Sequence, residues 1–126
     1  MEALGAEMGR KPVLIVDDDE FAREALATFL AGEGYPVLEA ADGRVALDRL
    51  QDSAVGAILL DIMMPVMDGW EFRSAQMDDP SLAGIPVMVI TADPTARSRA
   101  ASLGVQGYMT KPIQFDRLLD FVGRHC

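Results

Sequence analysis

Three consecutive aspartates, Asp17, Asp18 and Asp19, follow the apolar run Val13-Leu14-Ile15-Val16, and a further one, Asp61, follows Ala57-Ile58-Leu59-Leu60. Two carboxylates about 4 Å apart repel by roughly 4 kcal/mol at an effective dielectric near 20, so a fold that gathers several of them calls for a cation. All-oxygen donors suit a hard divalent ion. Magnesium in particular uses one or two carboxylates, keeps several waters and takes its remaining positions from phosphate oxygens. Thr91 and Lys111 end two other apolar runs. They are the residue types that hold a phosphoryl group, the ammonium as a point charge and the hydroxyl as a donor. Asp17, Asp18, Asp61, Thr91 and Lys111 together point to magnesium-assisted phosphoryl chemistry, provided that the fold brings the ends of these runs to one edge.

Each residue also has a purely structural role open to it. An acid before a helix caps it and sets favourable first-turn charge, which suits Asp19 and Glu20. Threonine is common in turns. Capping does not explain why a separate apolar run also ends in Asp61. Trp70 and the methionines at 63, 64 and 67 read as packing and loop residues. His125 is the only histidine and Cys126 the only cysteine. Together they make neither a zinc site nor an internal disulfide, and the thiol reads as inert.

The elements that must position these residues follow from periodicity. Apolar runs alternate five times with amphipathic stretches: 13–17 then 20–32, 36–40 then 43–51, 57–60 then 69–77, 85–90 then 95–103, 105–110 then 114–124. The runs VLIV, AILL and VMVI are continuously apolar, as expected when helices cover both faces of a parallel sheet. Phe115, Leu118, Leu119 and Val122 share one face of the last helix; Phe21, Ala25, Leu26, Phe29 and Leu30 share one of the first. Gly34, Gly43, Gly84 and Gly104 stand at or near the joints. The alternation predicts one doubly wound sheet with right-handed crossovers, whose ligands bind beyond the carboxyl ends of the strands.

At 126 residues the chain holds one domain. Residues 1–11 read as a flexible leader and 12–126 as the folded unit. The net charge of −9 argues against binding to a nucleic-acid backbone. No apolar run reaches membrane-span length, and the opening MEALGAEMGR lacks the regions of a signal peptide, so a cytoplasmic location without membrane insertion is expected.

The stretches LIVDDDE, LLDIMMPVMDG, VITA and GYMTKPI, with the D-x-x-M-P-x-M-D-G block over Asp61–Gly69, are similar in order and spacing to the response-regulator receiver domain of two-component signalling. The resemblance runs from Val13 to about Arg124. It implies a flavodoxin-like (βα)5 fold with a five-stranded parallel sheet of order 2-1-3-4-5. It further implies that Asp61 accepts a phosphoryl group from a histidine kinase or histidine phosphotransfer protein. Magnesium is then held directly by Asp18 and Asp61, through water by Asp17, and by the backbone carbonyl of Met63. Thr91 and Lys111 contact the phosphoryl oxygens. Thr91 and Tyr108 switch the surface of the fourth helix, fifth strand and fifth helix, which a downstream protein reads. The Lys111-Pro112 bond is expected to be cis. Such a module signals and catalyses only its own phosphorylation and dephosphorylation.

Val105-Gln106-Gly107 departs from the family's usual residues before the tyrosine. By the same resemblance Met63 and Asp93 flank the path of the hydrolytic water, so the phosphoryl lifetime is expected to depend on both. A stand-alone receiver is the favoured form; one cut from a hybrid kinase or longer regulator is the alternative. A haloacid-dehalogenase-like phosphatase is disfavoured, because Met63 stands where that family places a second acid.

Overall fold

A computed structural model of the chain describes residues 10–126. Strands β1 (Val13–Val16), β2 (Val37–Ala40), β3 (Ala57–Leu60), β4 (Val87–Thr91) and β5 (Gly107–Thr110) form one parallel sheet in the order β2-β1-β3-β4-β5. Helices α1 (Glu20–Gly32), α2 (Gly43–Asp52), α3 (Gly69–Asp78), α4 (Arg97–Ser102) and α5 (Phe115–His125) connect or follow the strands. This is the flavodoxin-like (βα)5 arrangement.

Every residue of β1, β3 and β4 is buried, which is why their sequences are continuously apolar. The strand period of two divides them between two cores. Leu14, Val16, Ile58, Leu60, Val87 and Val89 pack with Ala46, Leu50, Phe72 and Ala100 of α2, α3 and α4. Val13, Ile15, Leu59, Met88 and Ile90 pack with Leu26 and Leu30 of α1 and Leu118, Phe121 and Val122 of α5. Each large apolar side chain so buried contributes roughly 1.5–3 kcal/mol.

The sequence expectation for the outer faces was too broad. Phe21 is 84 % exposed and Ala25 is exposed, while Leu26 and Leu30 carry the buried stripe of α1. Helix α1 starts just past the end of β1, so its first turn stands beyond the sheet that would have covered Phe21. In α5 the buried aromatic is Phe121; Phe115 is half exposed and pairs with Phe29, ring centroids 4.6 Å apart. The helix expected over 95–103 is a 3-10 turn, Pro94–Ala96, followed by the short α4. Asp93 Oδ1 accepts from Thr95 N at 2.9 Å and Pro94 occupies the first position, which starts the turn early. The other elements match within about two residues.

Gly34 and Gly104 take positive φ, 92° and 67°, at helix ends. Residues 1–9 of the expected leader lie outside the described residues. Arg10 donates to Glu33 O at 3.1 Å, and its guanidinium lies 4.3 Å from the Tyr35 ring centroid. Cys126 packs against the α1–α5 core, where burial pushes its thiol up to about 11; the His125 ring meets Phe121 edge-on. No helix among the described residues is long and apolar enough to cross a membrane.

Candidate functional site

Strand order reverses at β1, which pairs with both β2 and β3. Val16 and Leu60 are register partners, so the next residue of each strand, Asp17 and Asp61, emerge side by side. Thr91 pairs with Thr110 across β4 and β5, and Lys111 N donates to Thr91 O at 2.8 Å. Residues from four strand ends thereby meet on one edge, at the crevice where a doubly wound sheet binds its ligands.

Asp17, Asp18 and Asp61 each offer a carboxylate oxygen within 4.8 Å of the others. Asp17 is buried, Asp61 partly so, and Asp18 is exposed. Lys111 Nζ lies 3.7 Å from Asp61 Oδ2 and 3.8 Å from Asp17 Oδ2. Burial pushes the Asp17 carboxyl up to about 6, and the adjoining Asp61 adds to the rise; the Asp19 N–H at 2.9 Å from Asp17 Oδ1 and the Lys111 ammonium oppose it. One ammonium thus stands within 4 Å of two of the three clustered carboxylates. This oxygen-only donor set with its surplus negative charge fits a hard divalent cation such as magnesium.

Local structure holds these groups in place. Asp19 caps α1, accepting from Phe21 N at 3.0 Å and Ala22 N at 3.2 Å, which accounts for it without a ligand. Arg23 Nη1 donates to Asp17 O at 2.8 Å and its Nε to Glu39 Oε1 at 3.1 Å, anchoring the loop after β1. The β3–α3 loop ends in a capping box, with Asp68 Oδ1 accepting from Glu71 N and Glu71 Oε1 from Asp68 N. A Cβ on Gly69 would lie 2.7 Å from Asp61 O, so only glycine lets α3 begin this close to β3. Within the same loop Val66 holds φ at 67°, and Met67 N donates to Pro65 O at 2.7 Å across a three-residue turn.

An open cleft of about 600 Å³ above the carboxylates is lined by Asp18, Asp61, Met63, Thr91, Asp93 and Lys111. Met63 N donates to Asp61 Oδ1 at 3.3 Å, while its side chain is exposed. Thr91 is buried and its Oγ1 accepts from Asp93 N at 3.1 Å. The Asp93 carboxylate is held below its usual range by Thr95, whose Oγ1 and N both donate to it. Tyr108 stands apart from the carboxylates: its hydroxyl donates to Asp93 O at 3.1 Å, and Arg97 lies 5.0 Å over its ring. The Lys111-Pro112 bond is cis. Trp70 is partly buried, its ring covered by Arg99 at 4.6 Å.

Sequence reasoning passed over Arg23, whose backbone partner Asp17 O leaves no signature in residue type. It also passed over the buried Arg73 and Gln76 of α3. Their spacing, one helical turn apart, was a signal, but polar types at that spacing normally mark a solvated face.

A family model described as the response regulator receiver domain matches residues 13–123. The chain belongs to this family. This receiver domain is 39% identical over 113 residues to response regulator MprA of Mycolicibacterium vanbaalenii, covering 85% of this chain and 46% of that protein. It is 38% identical over 104 residues to response regulator RR06 of Streptococcus pneumoniae, covering 79% and 46%. The chain thus spans just under half the length of these relatives. Among solved structures, it resembles the chemotaxis protein CheY4 of Vibrio cholerae, with a TM-score of 0.84, 32% identity, and coverage of 94% of this chain and 100% of that one. It also resembles response regulator TrrA of Thermotoga maritima, solved in complex with Mg2+–BeF, with a TM-score of 0.82, 29% identity, and coverage of 92% and 99%.

Proposed function

We propose that this receiver domain is a magnesium-dependent phosphoacceptor in which Asp61 takes a phosphoryl group from a phosphohistidine of a partner kinase or phosphotransfer protein. One observation carries the reading: Lys111 Nζ stands 3.7 Å from Asp61 Oδ2 on the same sheet edge as the Asp17–Asp18–Asp61 cluster and Thr91. Phosphoryl transfer asks little covalent help of a protein; it needs alignment and cations that take up charge on the oxygens. The Mg2+–BeF complex of TrrA supports the same chemistry in a related fold.

An Asp61 carboxylate oxygen forms the P–O bond as the donor's P–N bond breaks, and that electron pair returns to the imidazole nitrogen. Lys111 is placed to meet the incoming oxygens with its ammonium, and Thr91 with its hydroxyl. Asp17, Asp18, Asp61 and the Met63 carbonyl would hold magnesium, which would supply charge neutralisation on the phosphoryl oxygens. Engagement of Thr91 loosens its bond from Asp93 N, and the change reaches Tyr108 through the Tyr108–Asp93 hydrogen bond. A downstream protein reads the resulting α4–β5–α5 surface in the cytoplasm.

Incubation with acetyl phosphate and magnesium followed by intact-mass measurement tests the assignment. Wild type gains one phosphoryl mass, whereas Asp61→Asn and wild type in EDTA gain none. Equal gain in Asp61→Asn overturns it.

A further inference from the structure

Arg73 is 1% exposed, yet among the described residues no carboxylate pairs with it. Its Nε donates to Leu103 O at 3.1 Å, its Nη2 to Gly104 O at 3.0 Å and its Nη1 to Gln76 Oε1 at 2.8 Å. Gln76, fully buried, passes its own two donors to Leu82 O and Ile85 O, both at 3.0 Å. Leu103 is the C-cap of α4 and Gly104 follows it at positive φ, so the guanidinium serves one of the carbonyls that a helix leaves without partners at its end and the carbonyl just past it. A buried charge is costly unless it is well bonded, and here each of the three guanidinium nitrogens donates, two to the end of α4 and one to Gln76.

The rest of α4 is thinly anchored. Ala100 is its only buried residue, with Ala96 buried in the turn before it; Arg97, Ser98, Arg99, Ala101 and Ser102 are exposed. The first part of α4 answers to the switch region, through Asp93 capping the 3-10 turn and Arg97 lying on Tyr108. Its last turn answers to α3, through Arg73. Helix α3 in turn starts against the backbone of Asp61, with Gly69 N donating to Ile62 O at 2.9 Å and no room for a Cβ on Gly69.

We propose that Arg73 is a positioning residue that pins the C-terminal end of α4 to α3, so that α4 pivots about Leu103–Gly104 when the acceptor site fills. The inference rests on the phosphoacceptor reading of Asp61, and deepens it by assigning the output helix a stationary end. The fork of the guanidinium matters more than its charge, because three separate acceptors are met by three different nitrogens.

Amide hydrogen exchange on the full chain, with and without magnesium and beryllofluoride, tests this on wild type, Arg73→Met and Arg73→Lys. In wild type the beryllofluoride response falls within residues 92–99 and leaves 102–105 unchanged. In Arg73→Met, exchange at 102–105 accelerates by at least about tenfold and becomes sensitive to beryllofluoride. Arg73→Lys, whose single nitrogen cannot meet three acceptors, lies between the two and serves as the comparison if Arg73→Met does not fold. Acetyl phosphate labels Asp61 at the same rate in all three. A merely stabilising Arg73 would speed exchange without moving the boundary of the beryllofluoride response, and that result overturns the inference alone. Failure of wild type to be labelled overturns the phosphoacceptor reading and this one with it.

Discussion

Lys111 Nζ lies within 4 Å of a carboxylate oxygen of Asp61, although the two residues stand on strands separated by β4 in the sheet. The contact is made because Lys111 follows the last residue of β5 and reaches back across the edge, with its side chain one-third exposed. An ammonium so placed is available both to the metal-free acids and to an incoming phosphoryl group. Lys111→Met is expected to slow labelling by acetyl phosphate about 10²-fold, the usual loss when one preorganised charge at the reacting oxygens is removed. A time course of intact mass at fixed magnesium reads this directly, and a rate within threefold of wild type contradicts it.

Asp17 makes the metal-free protein sensitive to pH. Its folded value of about 6 lies above the ordinary 3.8, so between these values the native state holds a proton that the unfolded chain has released. Stability therefore falls as pH rises from about 4 to about 6 and stays low above, a loss of roughly 3 kcal/mol when each step of one in pH between the two values costs about 1.36 kcal/mol. Urea melts in EDTA at pH 5 and pH 7 should show somewhat under half of this loss in wild type and none of it in Asp17→Asn, which should be the more stable protein at pH 7. Magnesium should restore stability at pH 7 and bind more weakly below pH 6, where a proton competes for the site.

Gly69 sets how closely α3 approaches the end of β3. An alanine there would place Cβ 2.7 Å from Asp61 O and 2.8 Å from Ile62 Cα, both backbone atoms that cannot rotate away. Gly69→Ala is expected to destabilise by about 1–3 kcal/mol and to shift Asp61 enough to slow labelling as well. Thermal melting and the mass time course together distinguish this from simple loss of folded protein. Normal stability in the variant would refute the close approach.

Val66 is expected to respond in the opposite direction. A β-branched side chain at φ 67° carries about 1–2 kcal/mol of strain, and Val66 is 83 % exposed, so its side chain packs little in return. Relief of that strain in Val66→Gly outweighs the extra unfolded-state freedom of glycine, about 0.5–1 kcal/mol, and the variant should be more stable by roughly 0.5–1 kcal/mol. The midpoint of urea unfolding measures it; a lower midpoint would show that the turn is held for another reason.

Pattern alone was enough for the layered fold, because parallel strands buried on both faces must be continuously apolar and their crossover helices must carry a stripe. The same reasoning named the strand-end residues Asp17, Asp18, Asp61, Thr91 and Lys111, since each directly follows or closes an apolar run. What it could not supply was how far each face is covered. Phe21 fits the apolar stripe of α1 and is nevertheless in solvent, because the sheet ends beneath the first turn of that helix. Arg73 and Gln76 were passed over and are buried, because their partners include backbone carbonyls of Leu103, Gly104, Leu82 and Ile85, which have no signature in residue type. Local order along the chain is written in periodicity. Which carbonyl waits for a guanidinium, and how near one ammonium stands to Asp17 and Asp61, depends on contacts between distant segments, and only the packed tertiary structure decides them.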